Sequence, residues 1–349
     1  MRALRYAAMV IAAWVLASAL GVFVAVGPMR LINGDVNAVS VVATVGVLAV
    51  LTLVFWIYVR PVSRWWKRAL VILAAIPLLW IGAAPFAIAV WAAHPVRAEI
   101  EAERPNGARD VAIECADGTQ LSAWYLPSDN GAAVVLAHGA GSSKDDVAAH
   151  AQVLADAGYG VLMLDSRGHG DSDGAAQDLG WWGEADLEAA VTALVEMPGV
   201  EADRVAIVGL SMGGEQAIAA AGVDSRVAAV VAEGATARTS ADKDGWLPRH
   251  VLGYLQRAMD AERDFVLGLL TDAPRPEVTL KEAAGASDAP MLLIAAGGVP
   301  DETAAAAWIA EGNADVSVWT VPGASHMGGL GADTQGWRER VVGFLDEAL

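Results

Sequence analysis

Arg204-Val205-Ala206-Ile207-Val208-Gly209-Leu210-Ser211-Met212-Gly213-Gly214-Glu215-Gln216-Ala217-Ile218-Ala219-Ala220-Ala221 joins an apolar run to an alanine-rich one through a serine set between glycines. The first run reads as a buried strand and the second as a helix. A serine at such a turn is a nucleophile elbow. The glycines relieve crowding in a strained bend that holds the hydroxyl out at the top of a sheet. The helix starting behind it adds backbone N–H groups and a positive dipole end where an oxyanion would form.

Strand and helix signals alternate on both sides of this stretch. Residues 111–115 and 121–126 read as strands joined by the hairpin signal Asp117-Gly118. Residues 133–137, 161–164, 205–208, 227–231 and 291–295 are short apolar runs of the kind that fill a sheet covered on both faces, and 316–321 is the last strand. Helical stretches lie between them at 145–157, 184–197, 213–221, 303–311 and 335–347. This is the pattern of a doubly wound α/β sheet, whose ligands bind at the carboxyl ends of the strands. Residues 237–288 break the alternation. Their helical apolar spacing (Trp246, Leu255, Met259, Phe265 and Leu269 among others) suits a lid over the site or an extra packing helix.

The first 96 residues belong to a different solvent. They hold one acidic residue, Asp35, and seven basic ones, whereas residues 97–349 hold 40 acidic against 16 basic. Uncharged segments run over 6–27, 36–59 and 69–93. Each exceeds the ~20 residues that a helix needs to cross a bilayer. Pro77 and Pro85 should kink the third, and Trp56, Tyr58, Trp65 and Trp66 form an interfacial cluster. Arg2, Arg5, Arg60, Arg64, Lys67 and Arg68 flank one side, against Arg30 and Arg97 on the other. The positive-inside rule then sets the N-terminus in the cytoplasm and the C-terminal domain outside the cell membrane. Cleavage after Ala17-Ser18-Ala19 would leave two spans with the same orientation. Residues 1–93 are therefore a membrane region, 94–110 a linker with Pro95 and Pro105, and 111–349 the catalytic domain. No charge inside the spans marks a transport path.

The acidic domain carries no basic stripe for nucleic acid. Cys115 is the single cysteine, so neither an intrachain disulfide nor a cysteine metal site is available. No cofactor, dinucleotide or phosphate-loop fingerprint and no convincing metal spacing is found.

A serine needs a base, and the base an orienting acid, in the chain order serine, acid, histidine for such sheets. His326, in Pro322-Gly323-Ala324-Ser325-His326-Met327-Gly328-Gly329 after the last strand, is the expected base. Asp301, beyond the strand at 291–296, is the expected acid, with Glu302 and Glu233 as alternatives. Met212 N–H and Ala140 N–H, the latter in His138-Gly139-Ala140-Gly141, are the expected oxyanion donors. His138 and His169 precede the serine and are read as structural or substrate-lining.

Together the His138-Gly139-Ala140-Gly141 run, Asp165-Ser166-Arg167-Gly168-His169-Gly170, the Ser211 elbow and His326 resemble the α/β-hydrolases over residues 111–348. Among the branches, the chain is similar to membrane-anchored serine hydrolases and to the serine aminopeptidase-like and dienelactone-hydrolase-like groups. The resemblance implies an eight-stranded, mostly parallel sheet with helices on both faces and a small helical lid. It also implies a Ser-acid-His triad, acyl-enzyme chemistry, no cofactor, and an ester-type small-molecule or lipid-like substrate. It departs from the common pattern at the acid, where Asp301 follows a proline and precedes Glu302. An envelope acyltransferase using the same triad, or a non-catalytic membrane receptor or scaffold on the same fold, are the competing readings.

Overall fold

The computed structural model describes residues 2–32 and 35–349. It divides into two compact units, one of residues 1–96 and 250–272 and one of 97–249 and 273–349. The helices are α1 (Arg2–Val26), α2 (Pro28–Ile32), α3 (Ala38–Val54), α4 (Trp65–Ala93), α5 (Ala148–Ala155), α6 (Gly183–Val195), α7 (Met212–Ala221), α8 (Ser240–Trp246), α9 (Val251–Leu270), α10 (Leu280–Ala286), α11 (Pro300–Ala310), α12 (Gly329–Ala332) and α13 (Thr334–Ala348). The strands are β1 (Arg109–Glu114), β2 (Gln120–Leu126), β3 (Ala133–Ala137), β4 (Gly160–Leu164), β5 (Val205–Leu210), β6 (Val227–Glu233), β7 (Met291–Ala296) and β8 (Val316–Val321).

In the larger unit the strands form one sheet in the order β1-β2-β4-β3-β5-β6-β7-β8. β1 and β2 pair antiparallel, β2 runs antiparallel to β4, and every other pairing is parallel. Every residue of β3, β4, β5 and β7 is buried, which is why these strands read as unbroken apolar runs rather than alternating ones. Two apolar layers enclose the sheet. Leu187, Val191 and Leu194 of α6 join Ile218 of α7, Leu280 of α10 and Ile309 of α11 on one face. Leu154 of α5 joins Leu330 of α12 and Trp337, Val341 and Leu345 of α13 on the other. This is the doubly wound sheet expected from the alternation, with the eight strands that the resemblance implies.

The smaller unit holds three helical segments of membrane-spanning length and apolarity, Val10–Ile32, Ala38–Val59 and Trp65–Ala93. A single π-helical turn, Phe55–Val59, ends the second. α4 stays helical through both Pro77 and Pro85. Small side chains, among them Ala17, Gly82, Ala83 and Ala84, are buried where helices meet, as in helix packing without a hydrophobic driving force. The segment expected as a lid is divided between the units. α8 and α10 belong to the sheet-containing unit, whereas α9 packs along α4 in the smaller one.

At the carboxyl edge of the sheet, loops are tied by a buried ion pair. Lys144, fully enclosed, donates from Nζ to Asp165 at 2.7 Å, Asp171 at 2.9 Å and Ser122 Oγ at 3.0 Å. Its backbone N–H donates to the other Asp165 oxygen at 2.7 Å. The loop after β3 is thereby locked to the loop after β4. Removing one partner of such a pair strands the other charge in the interior. Lys144→Met is expected to lower unfolding stability by about 3–5 kcal/mol, measured by urea denaturation of the purified chain in detergent.

Candidate active site

Ser211 stands between β5 and α7 with φ +52° and ψ −116°, a conformation that a serine holds only under constraint. Its N–H donates to Glu233 O at 2.7 Å, at the end of β6. Flanking glycines are needed because the chain doubles back on itself. A Cβ on Gly209 would lie 2.1 Å from Gly213 O, and one on Gly213 2.4 Å from Ala137 O. The G-x-S-x-G spacing is thus the sequence trace of α7 approaching the ends of β3 and β5. As first residue of α7, Met212 presents an N–H that the helix itself does not use.

His326 follows β8 and meets the serine. Its Nε2 accepts the Ser211 Oγ–H at 2.8 Å, and its Nδ1–H donates to Glu302 Oε1 at 2.7 Å. Of the three carboxylates that the sequence offers, Glu302 rather than the expected Asp301 meets the imidazole. Pro300 occupies the first turn of α11 and fixes the start of the helix. From there helical spacing puts Glu302 on the face of Ala305, Ala306 and Ile309, all buried, and turns Asp301 to solvent. Glu302 is 1 % exposed, and its second oxygen accepts the Ala296 N–H at 2.8 Å, anchoring it to the end of β7. That apolar face is legible in the sequence once Pro300 is taken as the helix start.

Glu233, the other alternative, lies next to the site without touching the imidazole. Its carboxylate accepts the Gly329 N–H at 2.7 Å and the Trp337 Nε1–H at 2.9 Å. It therefore braces the loop that carries His326, and burial raises its pKa. Glu215 on α7 is a further buried carboxyl that sequence reading did not single out. It receives the Thr236 and Ala237 N–H groups at 3.0 and 2.9 Å, holding the loop after β6, and burial raises its pKa too. The His326 pKa is raised, chiefly by the hydrogen bond to Glu302, with burial opposing.

The remaining histidines of this edge are structural. His138 Nδ1–H donates to Gly139 O at 2.7 Å while Nε2 accepts the Ser166 N–H at 3.1 Å. His169 Nδ1–H donates to Arg167 O at 2.9 Å and Nε2 accepts the Gly141 N–H at 3.1 Å. Each ring must be neutral to accept, and burial lowers their pKa values to about 4 and about 3. Arg167 is spent on Asp117 and Asp186 at 2.6 and 2.8 Å. These contacts fix the turn Gly139–Ser142, closed by the Ser142 N–H on Gly139 O, and Ala140 is exposed within it. Beside the same loops lies an apolar cleft of about 400 Å³, lined by Ala149, His150, Val153, Met327, Leu330 and Thr334. Among the described residues, no group of three or more His, Cys, Asp or Glu side chains is arranged to hold a metal.

Residues 128–263 match the family described as serine aminopeptidase, S33. A polyketide transferase of Penicillium sp. is 36% identical over 127 residues, which is 35% of this chain and 43% of that protein. A thiohydrolase of Aspergillus aculeatus is 34% identical over 131 residues, 35% of this chain and 40% of that protein. The matches thus span less than half of these curated relatives. Among solved structures, an esterase of Pyrococcus furiosus superposes with a TM-score of 0.57 at 22% identity, covering 73% of this chain and 97% of that one. Its likeness is one of fold, and it agrees with the eight-stranded sheet. By its sheet order and this likeness the chain has the α/β-hydrolase fold, and the S33 match spans the Ser211 elbow.

Proposed function

We propose that this chain is a membrane-anchored serine hydrolase that cleaves an ester or thioester bond through Ser211, His326 and Glu302. The observation that carries the reading is the continuous relay from Ser211 Oγ through both ring nitrogens of His326 to Glu302, at 2.8 and 2.7 Å. In the first step His326 Nε2 takes the serine proton as Oγ attacks the carbonyl carbon. The oxyanion is met by the Met212 and Ala140 N–H groups. The imidazolium, stabilised by Glu302, then protonates the leaving alcohol or thiol, and an acyl-enzyme remains. Water, deprotonated by the same nitrogen, releases the acid.

The thiohydrolase and polyketide transferase relatives support chemistry at an activated acyl carbon. They also keep a second reading in play, in which an alcohol or amine replaces water as acceptor. Partition of product between water and an added acceptor separates the two. The intact relay argues against a receptor or scaffold that has lost catalysis. The three apolar helices support anchoring. The arginine and lysine distribution supports a cytoplasmic N-terminus and a hydrolase unit outside the cell membrane.

A fluorophosphonate probe is expected to label the wild-type chain in membranes and to leave folded Ser211→Ala unlabelled. Equal labelling of the two would overturn the role of Ser211. Glu302→Gln should reduce kcat by about 10³–10⁴-fold, whereas Asp301→Asn should stay within about twofold because its carboxylate faces solvent. Catalysis needs neutral His326, so kcat/KM should rise with pH through a midpoint above the ordinary 6.5, the direction of the shift that Glu302 imposes. In Glu302→Gln that midpoint should move down. A pH–rate profile of both proteins on a soluble ester checks this.

A further inference from the structure

α9 is built inside out for a helix in water. Its buried stripe runs through Gly253, Asp260, Arg263, Asp264 and Leu267, spaced to lie along one face. Three of these five carry charge, and the one cation, Arg263, pairs with both aspartates. The Arg263 guanidinium donates to Asp260 at 3.2 Å and to Asp264 at 2.5 Å, and the Gln256 amide donates to Asp260 at 3.0 Å. The exposed side is mostly apolar, with Glu262 set among its large side chains. Val251, Leu252, Tyr254, Phe265, Leu269 and Leu270 are between 41% and 81% exposed. An aqueous helix buries the second set and shows the first. A contiguous apolar surface of this kind marks a partner.

Its position within the unit identifies that partner. α9 packs along α4, a 29-residue helix of membrane-spanning length with its own exposed Ile76, Leu78, Trp80 and Ile88. From α1, Trp14 Nε1–H donates to Glu262 Oε1 at 3.0 Å, and the same indole meets Phe86 of α4 edge-on at 5.9 Å. Trp14 thus links α9 to both α1 and α4. Arg257, Asp260, Glu262, Arg263 and Asp264 make α9 too charged to cross a bilayer. A helix about 30 Å long with one apolar face and one charged face instead lies in the boundary between headgroups and acyl chains.

We propose that α9 is seated in the lipid interface beside α4, with Leu252, Phe265 and Leu269 in the acyl region. The chain leaves β6 into α9 and returns to β7, the strands whose ends carry Glu233 and precede Glu302. The insertion therefore commits the hydrolase to the membrane surface by a second contact, independent of its N-terminal tether. Resting on the hydrolase reading, this narrows the substrate to an amphiphilic or lipid ester or thioester drawn from the bilayer.

The experiment uses the full chain in phosphatidylcholine nanodiscs, in a Cys115→Ala background. A polarity-sensitive nitrobenzoxadiazole probe is placed at Leu252→Cys, Phe265→Cys or, on the sheet-containing unit, the exposed Val223→Cys. The Leu252 and Phe265 probes should be quenched by doxyl-labelled lipid and shielded from aqueous iodide, and the Val223 probe the reverse. Iodide quenching at all three positions overturns the seat, as does shielding that appears only with cross-linking between two copies of the chain. Phe265→Glu with Leu269→Glu should cut turnover of a long-chain ester presented in vesicles by about tenfold or more, with hydrolysis of a short soluble ester unchanged. Equal loss on both esters overturns the proposed substrate class. Wild type that hydrolyses neither ester while its probes report lipid overturns the hydrolase reading alone and supports the seat.

Discussion

The 2.7 Å hydrogen bond from Ser211 N–H to Glu233 O holds the elbow at a positive φ, and the rest of the site is arranged around that bend. The bend exists because Gly209 and Gly213 let α7 approach the ends of β5 and β3 to distances that no side chain permits. It sets the serine hydroxyl within reach of His326 and turns the first N–H of α7 toward the same side. The strain is sustained by the fully buried strands on either side, which cannot relax without opening the core.

Around the elbow lies a polar layer that is buried and almost fully paired. His138 and His169 hold backbone groups on both sides of the turn at 139–142, Lys144 and Asp165 tie two strand-end loops together, and Glu215 and Glu233 brace the loops after β6 and β8. Such groups are costly to bury and acceptable only when satisfied. Their common effect is to hold the loops around Ser211 and His326 in one arrangement. Glu302 shares the same logic. One oxygen is committed to the strand end and the other to the imidazole, so the carboxylate cannot turn away.

Charge organises the chain on a larger scale. The sheet-containing unit is strongly acidic, and the long N-terminal helices are almost without acidic groups. α9 contradicts this division in composition but not in physics. Arg263 pairs with Asp260 and Asp264 along a buried stripe and most of the large apolar side chains of α9 face outward, so it groups with the apolar helices despite arising between two strands of the sheet.

The doubly wound sheet, the three apolar segments, Ser211 and His326 were legible in the sequence because each has a local physical signature. Fully buried parallel strands must be apolar throughout, a bilayer demands about 20 uncharged residues, and an elbow demands glycines at fixed positions. The identity of the acid was not legible at the same level. Asp301 and Glu302 are neighbours of the same charge, and only the start of α11 at Pro300 decides which faces the sheet and which faces water. The placement of α9 was likewise a tertiary matter. Periodicity announces an amphipathic helix, but which of its faces is buried depends on what it packs against, and no local pattern records that.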